Sequence, residues 1–201
     1  MRRVTMTNSL EFLMKINDLQ KTKRYGNNPD FWESTAEHTF KLVQIVDYFY
    51  KELKLTLNYE RCIRLALYHD FCEMDMDKDF DIKECTNDDV KKAKKECEEM
   101  KISELSHKYY APIKDYFDEF SIKDTEEAKF VNACDKLEGM IHPLTVQKPI
   151  MNHEIFATYA DKAISDFPRL IPFYKEIKKV LKEKYELWGF EWKKEYDEVF
   201  K

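Results

Sequence analysis

Apolar residues recur at three- and four-residue spacing along most of the chain, which predicts one helix after another. From Asn8 to Gln20, Leu10, Leu13, Met14 and Asn17 share a face, and Asn8 with Glu11 has capping-box spacing. A second helix starts after Ser34, again with a glutamate three residues on (Glu37), and carries His38, Leu42, Ile45 and Phe49 on its inward face. Asn58 caps a third through Arg61, Cys62, Leu65, Ala66 and His69. Asn87 to about Tyr110 reads as a long, highly charged helix with a solvated outer face. Pro112 breaks that run, and a short amphipathic piece follows. Asp124-Thr125-Glu126-Glu127 puts acidic residues in the first turn of another helix, where the helix dipole favours them. Ala128, Val131, Asp135, Glu138 and His142 fall along one broad face of it. Pro143 and Pro149 bracket an expected loop, with two further helices near Asn152–Asp166 and Pro168–Trp188. The tail, Phe190 to Phe200, is amphipathic and is expected to pack on the core or on a partner subunit.

The composition agrees with an all-α, single-domain bundle. The 201 residues suffice for one full core, and glycine (three) and proline (six) are too scarce for a turn-rich fold. The net charge of −5 argues against a general nucleic-acid binder. It does not argue against a phosphate substrate, provided a metal and a few local cations line the site. Five cysteines are scattered and never spaced as CxxC, which reads as reduced thiols in a cytosolic protein. Arg2-Arg3 is followed by no apolar leader, and no run approaches the length of a membrane span.

The chemistry concentrates where the third helix ends. Leu65-Ala66-Leu67-Tyr68-His69-Asp70-Phe71-Cys72-Glu73 closes an apolar helix with a histidine, an aspartate and, one turn later, a glutamate. Burying two such neighbours is costly, and it becomes tolerable when a cation lies between them. His69 and Asp70 are therefore candidate metal ligands, with Glu73 working beside them. Adjacent helical residues point about 100° apart, so the two can share an ion near the helix end or between faces. His38, taken alone, has the ordinary alternative of a hydrogen-bonded core histidine. Asp135, taken alone, could be a buried cap or ion-pair partner; beside the other three it supplies a fourth ligand. Two imidazoles and two carboxylates suit Mn, Co, Fe or Zn better than Mg. Arg24 lies in the loop Lys21–Glu33, either solvated or as an anion clamp over a nearby site. The acidic stretch with Asp75, Asp77, Asp79 and Asp81 lacks the glycine and terminal glutamate of a calcium loop.

Ala36-Glu37-His38-Thr39, then Tyr68-His69-Asp70-Phe71-Cys72-Glu73, then Cys134-Asp135-Lys136-Leu137-Glu138 resembles the H…HD…D signature of the HD-domain metal-dependent phosphohydrolases. The pieces AEH, HDxxE and DKLE are similar to the single-domain branch that includes bacterial 5′-deoxyribonucleotidases. The matching span runs from about Arg24 to Glu138, and residues 139–201 then complete the core or a dimer interface. The resemblance implies an all-helical fold with one divalent ion held by His38, His69, Asp70 and Asp135. It implies Glu73 as the residue that orients or deprotonates water, and Arg24, with Lys136, as phosphate contacts. Relatives carry a Gly-Asp soon after the glutamate; here Asp77 or Asp79 stands in for that aspartate. The resemblance also implies a homodimer acting on a small nucleotide, which the cysteine reading places in the cytoplasm. The competing expectations are a nucleoside triphosphate pyrophospho- or triphosphohydrolase, a non-catalytic metal-bound nucleotide sensor, and coincidental histidines that bind no metal.

Overall fold

The computed structural model describes residues 6–24, 32–75, 87–146, 148–150 and 152–200. Among them the chain is helical throughout, with short 3-10 turns and one isolated antiparallel bridge between Lys23 and Ser34. The expected single-domain all-α fold is what forms.

Helix α1 spans Met6–Ile16 and continues as a 3-10 turn, Asn17–Gln20. It begins two residues before Asn8, so Asn8 is not its cap. Phe12 packs against Phe71 and Tyr109, while the face carrying Leu10, Leu13 and Met14 is exposed. α2 spans Thr35–Glu52 and carries the full capping box: Ser34 accepts from the Glu37 amide, and Glu37 accepts from the Ser34 amide. α3 spans Tyr59–Tyr68, with the Asn58 side chain accepting from the Arg61 amide. α4 is Asp88–Lys108, capped by Asn87, and α5 is Pro112–Ile122.

The centre of the molecule is α6, Glu126–Thr145, capped by Thr125. Its buried residues include Phe130, Val131, Ala133, Cys134, Asp135, Leu137, Glu138 and Met140, which lie on nearly every side of the helix. A helix buried all round is a core helix. α2, α3 and α5 pack against it, and so do α8 (Asp161–Asp166) and α9 (Ile171–Leu187). Pro143, expected in a loop, lies inside the last turn of α6 and is buried. So close to a helix end a proline removes one amide bond, which the turn tolerates: the Val146 amide still reaches the Pro143 carbonyl at 3.1 Å. His142 is therefore helical. The segment expected as one helix near Asn152–Asp166 is broken into α7 (His153–Phe156) and α8.

The tail folds back on its own chain. Lys178, 2% exposed, donates to the Tyr196 carbonyl at 2.6 Å and pairs with Asp161 at 2.9 Å, while His153 stacks on Phe190 at 3.9 Å. Cys62, Cys72, Cys97 and Cys134 are free thiols. Leu65 is fully buried on α3, one turn before His69. Leu65→Ala is expected to lower the unfolding free energy by about 2–5 kcal/mol, read from urea titration.

Candidate metal centre

Three elements bring the chemistry together. α2 carries His38 on its second turn, on the stripe that buries Thr35, Leu42 and Val46. α3 stops at Tyr68, and the chain turns into a 3-10 segment, Phe71–Asp75. That break lets adjacent residues converge: Asp70 Oδ2 lies 3.0 Å from His69 Nε2. The segment is anchored by Phe71, Cys72 and Met74, buried against Ile102, Leu105, Ile113 and Phe117. α6 supplies Asp135, whose Oδ1 lies 3.1 Å from His38 Nε2 and 3.9 Å from His69 Nε2.

The two imidazoles are oriented from behind. His69 Nδ1 lies 2.9 Å from the Ala66 carbonyl, which can only accept, so Nδ1 carries the hydrogen. His38 Nδ1 lies 2.6 Å from Glu138 Oε2. The Glu138 carboxyl is buried, which opposes its charge, but His38 and Lys41 hold it below the ordinary glutamate value. It is a carboxylate, and His38 Nδ1 donates to it. Both Nε2 atoms then face one another at 3.2 Å. Two nitrogen lone pairs at that distance repel unless something positive lies between them. A proton can do it: burial and Arg24 oppose the charge on His38, yet Asp135 and Glu138 outweigh them and raise it to about 9. Asp135 is held well below the usual carboxylate range against its burial, chiefly by Lys136 and His38. Asp70 is likewise depressed, with burial opposed by His69 and Arg24.

A divalent ion fits the same place. His38, His69 and Asp135 each offer an atom within 4.8 Å of the others, all three buried. Asp70 Oδ2 joins them at 3.0 Å from one ring and 3.7 Å from the other. Donors bound to one ion at about 2.0–2.2 Å lie roughly 3–4 Å apart, which is the spread found here. A histidine whose second nitrogen donates to a carboxylate or carbonyl is the usual support of a metal ligand. At 21% side-chain exposure Asp70 is the most open of the four, so the cluster faces solvent on its side.

The other expected residues fall around this cluster. Arg24 is buried, not solvated: its Nη1 donates to Asp70 Oδ2 at 2.9 Å, and its Nε lies 3.4 Å from Glu33 Oε1. It is held there because the segments flanking the loop pair: Arg24 N bonds the Glu33 carbonyl, and Thr35 N bonds that of Thr22. Lys136 lies against Asp135 Oδ2 at 2.8 Å, with its ammonium over the Tyr159 ring. Tyr159 comes that close to α6 because Gly139 lacks a side chain; a Cβ there would meet the ring at 3.1 Å. Glu73 is 2% exposed, with Oε2 accepting from Thr35 Oγ1 at 2.6 Å, one turn before His38. Asp77 and Asp79 lie outside the described residues. Glu33 and Lys41 emerge from the geometry alone. Their sequence signal is faint: Lys41 stands three residues after His38, as Glu138 stands three after Asp135.

An all-helical protein with a His-His-Asp-Asp cluster between its central helices, open to solvent on one side, is the class this fold and site define. The family model described as HD domain matches residues 16–166, three quarters of the chain. The chain belongs to the HD domain family. It is 25% identical over 142 residues to the 5′-deoxynucleotidase HDDC2 of Xenopus laevis, spanning 69% of each chain. It is 30% identical over 138 residues to the Mus musculus protein of the same name, spanning 66% of each. Its fold is similar to that of a predicted metal-dependent phosphohydrolase from Magnetospirillum magnetotacticum MS-1 (TM-score 0.70, 18% identity, 92% of this chain and 95% of that one). It is also similar to an HD-domain phosphohydrolase from Listeria innocua (TM-score 0.55, 18% identity, 89% and 84%).

Proposed function

We propose that the chain is a metal-dependent phosphohydrolase that releases phosphate from (deoxy)nucleoside 5′-monophosphates. The observation that carries it is the pair of Nε2 atoms, 3.2 Å apart, each aimed by an acceptor behind its ring and flanked by two depressed carboxylates. His38, His69, Asp70 and Asp135 would hold the ion, with Mn, Co, Fe or Zn preferred to Mg by the mixed donor set. When bound, it supplies Lewis-acid polarisation of the phosphoryl group and a lowered pKa for water. The identity of the substrate is supported by the two deoxynucleotidase relatives.

The chain's own residues have separable tasks. Arg24 holds its guanidinium against Asp70, the most open carboxylate of the cluster, and pairs with phosphoryl oxygens. Lys136 brings a second positive charge from α6, on the far side of Asp135. Glu73 takes the proton of the attacking water, its carboxylate held in place by the Thr35 hydroxyl, which donates to Oε2. Asp77 assists it. The enzyme acts as a cytoplasmic homodimer, the compartment being supported by the free thiols. Among the described residues no helix is long and apolar enough to cross a membrane.

The experiment is phosphate release from a panel of nucleoside mono- and triphosphates after EDTA treatment, with Mn, Co, Zn or Mg restored. Metal-dependent release confined to monophosphates is expected, with deoxynucleotides preferred. Diphosphate or triphosphate released from the larger substrates, with monophosphates untouched, overturns the nucleotidase reading in favour of a triphosphate hydrolase.

A further inference from the structure

The polar side chains behind the cluster form one continuous chain. His38 Nδ1 meets Glu138 Oε2 at 2.6 Å, and Glu138 Oε1 meets Lys41 Nζ at 2.7 Å. Lys41 donates in turn to Oε2 of Glu33, whose Oε1 lies 3.4 Å from Arg24 Nε, an ion-pair contact in which neither atom makes a hydrogen bond among the described residues. Arg24 Nη1 returns to the cluster at Asp70 Oδ2, 2.9 Å away. The chain leaves the cluster at one residue and re-enters it at another. His142 Nδ1 completes the surroundings of Lys41 at 3.2 Å.

Glu33 and Glu138 are each 2% exposed, and buried carboxylates need a counter-charge. Glu33, His38 and Glu138 stand close enough together to hold a cation, and the Lys41 ammonium is that cation. It takes one oxygen of each glutamate and leaves the other for a different partner: on Glu138 for His38, on Glu33 for Arg24. Both orientations therefore depend on one ammonium that reaches the cluster through other side chains.

We propose that Lys41 is a positioning residue that couples the two halves of the site, fixing the His38 ring through Glu138 and aiming Arg24 through Glu33. This rests on the functional reading above, in which His38 holds the ion and Arg24 holds the phosphate. Without the ammonium the two glutamates lose their common anchor, so His38 and Arg24 both lose their support.

The test uses the full-length chain as wild type, Lys41→Met, Lys41→Arg, Glu33→Gln and Glu138→Gln. Metal-free protein is titrated with Mn2+, Mn2+-loaded protein is titrated with inorganic phosphate, and melting is followed in parallel. Lys41→Met is expected to weaken Mn2+ binding by roughly 10–100-fold, the scale for a lost partner behind a metal ligand. It is expected to weaken phosphate binding about tenfold as well, the scale of one charge-assisted hydrogen bond. Glu138→Gln should move chiefly the Mn2+ constant and Glu33→Gln chiefly the phosphate constant, while Lys41→Arg restores most of both. A Lys41→Met protein that melts earlier but keeps both constants shows a merely structural lysine and overturns the inference; so does one that moves a single constant. If Lys41→Met does not fold, Glu138→Gln and Glu33→Gln decide: a pair of variants that keeps both wild-type constants overturns the inference. A wild-type chain that binds no Mn2+ fails the functional reading itself, and that failure is visible before any variant is compared.

Discussion

Asp135→Asn is expected to reduce turnover by about 10³-fold or more and to strip the bound metal. The substitution keeps the side-chain volume and removes the charge at the atom 3.1 Å from His38 Nε2. Losing the ion's Lewis-acid contribution, several kcal/mol of barrier, corresponds to at least about three factors of ten in rate. Metal affinity should fall by more than the roughly 10–100-fold typical of a residue that only supports a ligand. Lys136 loses its partner in the same variant, since its ammonium lies 2.8 Å from Asp135 Oδ2. Lys136→Met measured alongside separates the two effects, because it should weaken the substrate's KM and leave the metal in place. Isothermal titration with Mn2+ and steady-state kinetics provide both readouts; an Asp135→Asn protein with wild-type metal content and rate removes Asp135 from the site.

Glu73→Gln should show the opposite split. The amide retains an oxygen to accept from Thr35 Oγ1, so the 3-10 segment and the neighbouring His69-Asp70 pair should stay in place. The variant loses the ability to take a proton. Turnover is expected to fall roughly 10²–10⁴-fold, the usual contribution of a general base, with metal binding unchanged. Unchanged turnover would remove Glu73 from the proton-transfer step, and lost metal would make it part of the ion's support.

What the sequence discloses, and what it hides, divides along the range of the interactions. The caps Ser34 with Glu37, Asn58 and Asn87 are legible because each is a bond between residues three or fewer apart. His69-Asp70 stands out because two titratable groups at the end of an apolar helix have few physical justifications. The convergence of His38 and Asp135 on that pair follows from helical faces once the three helices are known to pack together. Arg24 is harder to read. Its burial comes from the pairing of residues 22–24 with 33–35, an irregular contact with no period. The Lys41 anchor is harder still, since one partner, Glu33, precedes α2 and the other, Glu138, comes from α6, far along the chain. α1 shows a different failure: Leu10, Leu13 and Met14 make a good apolar face, yet the ring of Phe12 determines which side packs. Pro143 was expected to end a helix, but one missing amide bond in a last turn is a small loss beside the burial of α6.

The most direct measurement is the metal content of the purified chain by elemental analysis, paired with Mn2+ titration of the EDTA-treated protein. One divalent ion per chain, with its binding abolished in Asp135→Asn and retained in Glu73→Gln, is the expected result. A folded chain that binds no ion in stoichiometric amount would mean that a proton alone holds His38 and His69 together, and would contradict the site as assigned.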